Sequence, residues 1–147
     1  MVELLISLLL ASFFLGVFVL RMYGGFTADP EDARCKEAAL EACDWFRGVL
    51  IRAKEGREPF SLKVTLSSRS QTLRVVWFKT NRWETFDAGG RAFFIGSGYA
   101  DLITYYPNWH TFSPGVSLGI YSSLKGGRLV GNLVITPLGA VRLDLWR

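Results

Sequence analysis

The stretch DPEDARCKEAALEACDWFRGVLIRAK, Asp29 to Lys54, decides how this chain folds. Asp29 is a good N-cap, Pro30 suits the first helical position, and Glu31 and Asp32 complement the positive end of the helix dipole. Gly56 and Pro59 stop the helix, which the sequence places over residues 30–55. Within it Cys35, Ala39, Ala42, Cys43, Phe46, Val49, Leu50 and Ala53 recur at three- and four-residue steps. The stripe starts with small residues, which let a neighbouring backbone come close, and ends with larger ones. Arg34, Lys36, Glu37, Glu41, Asp44 and Arg52 occupy the opposite, solvated side. Helix propensity alone does not offset the ordering entropy, so the stripe calls for a sheet or further helices to cover it.

Working back toward the N-terminus, residues 23–29 hold the paired glycines Gly24 and Gly25 and read as a flexible linker. Before them, residues 1–22 read as a membrane-spanning helix. Leu4, Leu5, Ile6, Leu8, Leu9, Leu10, Phe13, Phe14, Leu15, Val17, Phe18, Val19 and Leu20 form its apolar surface, with Glu3 at one end and Arg21 at the other. Leu4 to Leu20 as a helix covers about 25 Å, slightly short of a hydrocarbon core of about 30 Å, and spans it if Glu3 and Arg21 snorkel. No basic residue precedes the run and no A-x-A-like site follows it, which favours an uncleaved anchor over a secretory signal. A carboxylate against so apolar a run needs a cationic partner.

Working forward from the helix, the period changes to two. Leu62, Val64 and Leu66 alternate with Lys63 and Thr65, then Leu73, Val75 and Trp77 with Arg74 and Val76; the tract 67–70 between them is a turn, giving a hairpin. Residues 81–90 read as loop or short strand, 91–95 as a strand, and 99–106 as another. Pro107 to Gly115 reads as irregular and exposed. Val116 to Leu124 and Leu129 to Ile135 are strand candidates, and the strict alternation of Val141, Leu143 and Leu145 after Thr136-Pro137-Leu138-Gly139 closes the chain with a second hairpin. The sequence therefore predicts an antiparallel sheet over 60–147 and one globular domain over 30–147.

Charge and chemistry narrow the function. The formal net charge of +4 is modest and mixed in sign, compatible with weak attraction to polyanions. Cys35 and Cys43 lie about 12 Å apart along one helix, beyond disulfide reach. Two cysteines and His110, the sole histidine, write no structural zinc site, and the sequence names no partner for His110 in a nucleophilic triad. Gly96-Ser97-Gly98 lacks the Lys and helix of a phosphate loop. Glu84 and Asp87 are acids without evident pairing. No catalytic residue, cofactor or metal is expected. Lys125, Arg128, Arg142 and Arg147, with Tyr121 and Trp146 nearby, are a possible nucleic-acid contact, against a reading as ordinary solubilising charge.

Val2-Glu3-Leu4-Leu5-Ile6-Ser7-Leu8-Leu9-Leu10, followed by a helix and then antiparallel strands, resembles the type IV pilin and pseudopilin superfamily. Gly131 to Leu143, GNLVITPLGAVRL, is similar to the C-terminal hairpin of the minor pseudopilin H and fimbrial minor pilin group. The resemblance implies a pilin-like α+β fold: an N-terminal membrane-spanning helix, then an amphipathic helix packed on an antiparallel β-sheet. It implies a structural subunit, minor pilin or pseudopilin, of a type IV pilus or type II secretion pseudopilus. Its partners would be other pilins or pseudopilins, an inner-membrane assembly platform, and prepilin peptidase where a basic leader precedes Met1. Glu3 would pair with a neighbouring subunit's terminal amine, which makes its carboxylate tolerable among apolar neighbours. The location implied is the bacterial inner membrane, single-pass, with the globular domain outside the cytoplasm, and then a cell-envelope filament. Two alternatives are a DNA-contacting minor pilin of an uptake pilus, and a signal-anchored envelope protein that does not polymerise.

Overall fold

The computed structural model describes residues 12–16, 29–66, 71–96 and 103–146. The chain divides into two units, residues 1–30 and 31–147. In the first, residues 12–16 are helical, and the rings of Phe13 and Phe14 meet edge to face at 6.4 Å.

Among the described residues the second unit holds helix α1, Pro30–Gly56, followed by nine strands: β1 Phe60–Leu66, β2 Gln71–Trp77, β3 Trp83–Asp87, β4 Phe93–Gly96, β5 Ile103–Tyr106, β6 Thr111–Ser113, β7 Val116–Tyr121, β8 Leu129–Ile135 and β9 Val141–Leu145. Every pairing is antiparallel. The strands form a five-stranded sheet in the order β3-β2-β1-β5-β6 and a four-stranded sheet in the order β4-β7-β8-β9. Helix stripe and strand faces meet in one core. Cys35, Ala38, Ala39, Ala42, Cys43, Phe46, Val49, Leu50 and Ala53 of α1 are buried with Phe60, Leu62, Leu73, Val75, Ile103, Tyr105, Phe112, Leu118, Ile120, Leu133 and Ile135 of the strands.

An aromatic cluster sits where α1 crosses the five-stranded sheet. Phe60 is its hub, with ring centroids 6.2 Å from Phe46, 5.4 Å from Trp77, 5.3 Å from Tyr105 and 5.8 Å from Phe112. The sheets are joined at Phe86 of β3 and Phe94 of β4, 6.4 Å apart, and at Gln71, whose side-chain amide bonds both backbone groups of Phe94. Gln71 Nε2 donates to the Phe94 carbonyl, and Gln71 Oε1 accepts from the Phe94 N–H. One side chain thus acts as the missing strand neighbour for part of β4. Three ion pairs hold α1 along its length: Arg128 to Asp32 at 3.2 Å, Arg91 to Glu41 at 2.6 Å and Arg52 to Glu84 at 2.6 Å.

Two sequence expectations require correction. The first is the membrane-spanning helix over residues 1–22, and with it the single-pass inner-membrane location. Among the described residues no helix is long and apolar enough to cross a membrane. The long helix α1 carries a charged face, whose burial in lipid is costly. Phe13, Phe14 and Leu15 of the expected span lie among the described helical residues 12–16. Glu3, Leu4, Leu5, Ile6, Leu8, Leu9, Leu10, Val17, Phe18, Val19 and Leu20 lie outside the described residues, as do 23–28 of the linker.

The second correction is to the α+β class with one helix on one sheet. The described residues are mostly antiparallel β, with one long helix and two sheets. Strands β4, β7, β8 and β9 pair among themselves because β5 and β6 take the free edge of β1. Pro107 to Gly115, expected to be irregular, contains β6, which buries Phe112 against Tyr105 at 4.9 Å. The first hairpin is as expected, with Leu62 opposite Val75 and Val64 opposite Leu73. In the closing hairpin Gly139 takes φ 75°, and the Thr136 Oγ1 accepts from the Ala140 N–H at 3.0 Å.

Candidate functional site

The basic residues singled out near the C-terminus are not gathered into one free patch. Arg128, just before β8, spends its charge on Asp32 at 3.2 Å. Arg142, on edge strand β9, clasps Asp144 two residues on, at 3.0 and 2.7 Å. Lys125 is exposed in the β7–β8 turn, where its carbonyl accepts from Ser123 Oγ at 3.1 Å. Arg147 lies outside the described residues. Of the aromatic residues expected beside them, Trp146 is exposed and Tyr121 half-buried. Two of these cations are thus paired with carboxylates, which lowers the net positive charge of the region while both guanidinium side chains stay largely exposed.

Most of the side chains with catalytic potential make structural contacts or are buried. His110 sits in the β5–β6 turn at φ 52°, its Nδ1 3.4 Å from the Tyr105 hydroxyl, too long for a firm hydrogen bond. Burial pushes the Tyr105 hydroxyl and both thiols above their ordinary pKa values. Cys35 and Cys43 are free and buried, a setting that keeps thiols protonated and inert. Glu84 receives Arg52 at 2.6 Å, Trp77 Nε1 at 3.0 Å and Arg82 at 3.5 Å. Asp87 accepts from the Gly89 N–H at 2.8 Å, capping a turn. Among the described residues no group of three or more His, Cys, Asp or Glu is placed to hold a metal ion.

A cavity absent from the sequence reading lies where α1 ends. It has a volume of about 450 Å³ and is lined by Arg57, Pro59, Lys79, Tyr106, Pro107, Asn108 and Trp109. The rings of Tyr106 and Trp109 are 6.4 Å apart and tilted by 37°, and Trp109 is 77 % exposed on the turn tip. Arg57 takes φ 45° as the chain leaves the helix, with Glu58 N–H closing back on the Ala53 carbonyl at 3.1 Å. The cavity combines cations, flat apolar rings and one amide. The only sequence signal for it was Tyr106-Pro107-Asn108-Trp109, a turn rich in aromatic residues; Arg57 and Lys79 join it through tertiary structure.

Glu58 borders this region and ties α1 to the β2–β3 connection. Partial burial raises its carboxyl, but hydrogen bonds from Thr80 N at 2.8 Å, from Thr80 Oγ1 at 2.9 Å and from the Lys79 backbone outweigh that and hold it below its ordinary value. A depressed carboxyl adds stability that is present above its unfolded pKa and is lost as pH falls through the folded one. Thr80→Val is therefore expected to cost under about 1 kcal/mol at pH 7. Its cost should fade below the ordinary carboxylate range, as followed by chemical denaturation between pH 7 and pH 2. A cost independent of pH would assign the loss to packing instead.

Comparison of the chain with protein-family models, with curated proteins and with solved structures finds no match.

Proposed function

We propose that this chain is a non-catalytic structural subunit of a filament, of the minor pilin or pseudopilin kind, acting through surfaces offered to other subunits. The observation that carries the reading is α1. It is 27 residues long, its small-residue stripe is sealed into a β-rich domain, and it follows in sequence the apolar stretch Leu4 to Leu20 that Glu3 precedes. A helix clamped in this way is a stiff strut, and three ion pairs spaced along it hold it against the strands. The hairpin of β8 and β9 adds support, since it contains Gly131 to Leu143, the segment with the narrower resemblance. The engaged carboxylates and buried thiols favour assembly over chemistry. A DNA-contacting role draws little support, given the ion pairs of Arg128 and Arg142.

In this reading Glu3 sets the register between subunits by meeting a neighbour's terminal amine, a charge pair that is expensive to break once buried. Glu3→Ala is expected to reduce the amount of this protein in sheared filaments at least tenfold at equal cellular level, as measured by immunoblot. Incorporation unchanged by that substitution would overturn the proposal.

A further inference from the structure

The exposed face of α1 carries a pattern that its buried face does not explain. Glu37, Leu40, Asp44, Arg47, Ile51 and Lys54 follow alternating steps of three and four residues, the spacing of a coiled-coil seam, and all six are exposed. Leu40 and Ile51 are large aliphatic side chains left 53 % and 57 % exposed on a helix whose other stripe is sealed. Arg47, Ile51 and Lys54, with Leu50, also form one wall of a groove of about 260 Å³, whose other wall is Gly139 and Val141 at the closing hairpin.

The order of residue types in this seam reads the same backwards with charges exchanged. About the midpoint between Trp45 and Phe46, Asp44 mirrors Arg47, Leu40 mirrors Ile51, and Glu37 mirrors Lys54. Glu37, Asp44 and Ile51 take the a positions of a heptad and Leu40, Arg47 and Lys54 the d positions, and in an antiparallel helix pair related by a two-fold axis each a position lies level with a d position of the other helix. Two copies of this helix therefore place Leu40 against Ile51 at both ends of the seam, Asp44 against Arg47 on either side of the axis, and Glu37 against Lys54 outermost. A parallel pair would instead stack each charge on its own kind. In the single chain Asp44 and Arg47 pair with each other at 3.2 Å while both stay largely exposed, so they are free to join a shared network.

We propose that the exposed face of α1 is a self-complementary surface through which two copies of this chain pair antiparallel. The occupant is a second copy because the charge sequence complements its own reversal. This inference is independent of the filament reading, because it rests on helix residues alone. A seam of about 26 Å is small for a stable interface, so the pair is a weak, reversible one that weakens further with salt.

The test uses the full chain carrying Leu40→Cys and Ile51→Cys together. These positions lie about 16 Å apart along one helix and cannot bond to each other within a chain. Mild oxidation is expected to give a dimer linked from 40 of one copy to 51 of the other, identified by peptide mass spectrometry. Adding Asp44→Arg, or Arg47→Asp, should lower the yield at least tenfold, because like charges then face each other. Mixing those two singly reversed proteins should restore the 40–51 link between unlike copies. The proposal is overturned if no 40–51 link forms, if the single reversals leave its yield unchanged, or if the mixture fails to recover it. Association through any other surface would be insensitive to the exchange of charges.

Discussion

Phe60→Ala is expected to lower the free energy of unfolding by about 3–5 kcal/mol, the range for removing a large aromatic side chain from a core. Phe60 is fully buried at the start of β1, and its ring touches partners from α1, β2, β5 and β6. Those partners come from separate parts of the chain, so the void cannot be closed by the shift of a single element. A domain of this kind has about 5–15 kcal/mol in total, which makes the loss a large fraction of it. Phe60→Leu should recover much of the difference by filling most of the volume. The measurement is urea denaturation followed by tryptophan fluorescence, and a loss below about 1 kcal/mol would mean that the ring cluster does not organise the core.

Gln71→Leu is the second large effect, and its origin is polar. Leucine keeps most of the volume but leaves the Phe94 N–H and carbonyl without the amide that serves both. Each buried backbone group deprived of its partner costs about 1–3 kcal/mol, so a loss of about 2–6 kcal/mol is expected for the two. Gln71→Glu supplies the control. A protonated carboxyl can donate to the Phe94 carbonyl and accept from its N–H, whereas an ionised one turns an oxygen toward that carbonyl. The folded-state pKa of the new carboxyl is thus raised. Its stabilisation is present below the unfolded pKa and lost as pH rises through the folded one. The variant should match wild type near pH 4 and resemble Gln71→Leu near pH 8. Equal behaviour of Gln71→Glu and wild type at pH 8 would show that the amide is not needed.

What was legible in the sequence was the structure that repeats. The spacing of Cys35, Ala42, Phe46, Val49 and Ala53 identified the buried side of α1, and Pro30 and Gly56 marked its ends. Alternation placed β1, β2 and β9, including the pairing of the first two. Periodicity is local, however, and it does not say which strands become neighbours. The split into two sheets depends on β5 choosing β1 as its partner. A three-residue strand such as β6 is too short to show a period, so Phe112 looked like part of an exposed loop. The apolar run before Leu20 suggested a span of the membrane that no described helix provides.

The candidate surfaces were less legible for the same reason. A charged residue written in sequence shows its sign but not its partner. Arg128 and Arg142 looked available until Asp32 and Asp144 were placed beside them. Arg91 and Glu41, 50 residues apart, gave no hint of meeting. Gln71 at the head of a strand reads as an ordinary polar residue, and only the approach of β4 gives it a task.

The sheet order has a consequence for how the domain forms. The chain lays down three strands of the five-stranded sheet, leaves to make β4, returns for β5 and β6, and departs again for β7, β8 and β9. In chain order neither sheet is complete before the other has begun, and the strand partner of β4 is β7, three strands further on. Such interleaving ties formation to contacts distant in sequence, which slows folding and joins the two halves into one cooperative transition. Peeling one sheet away would strand segments of the other, so partial opening from within the domain is disfavoured.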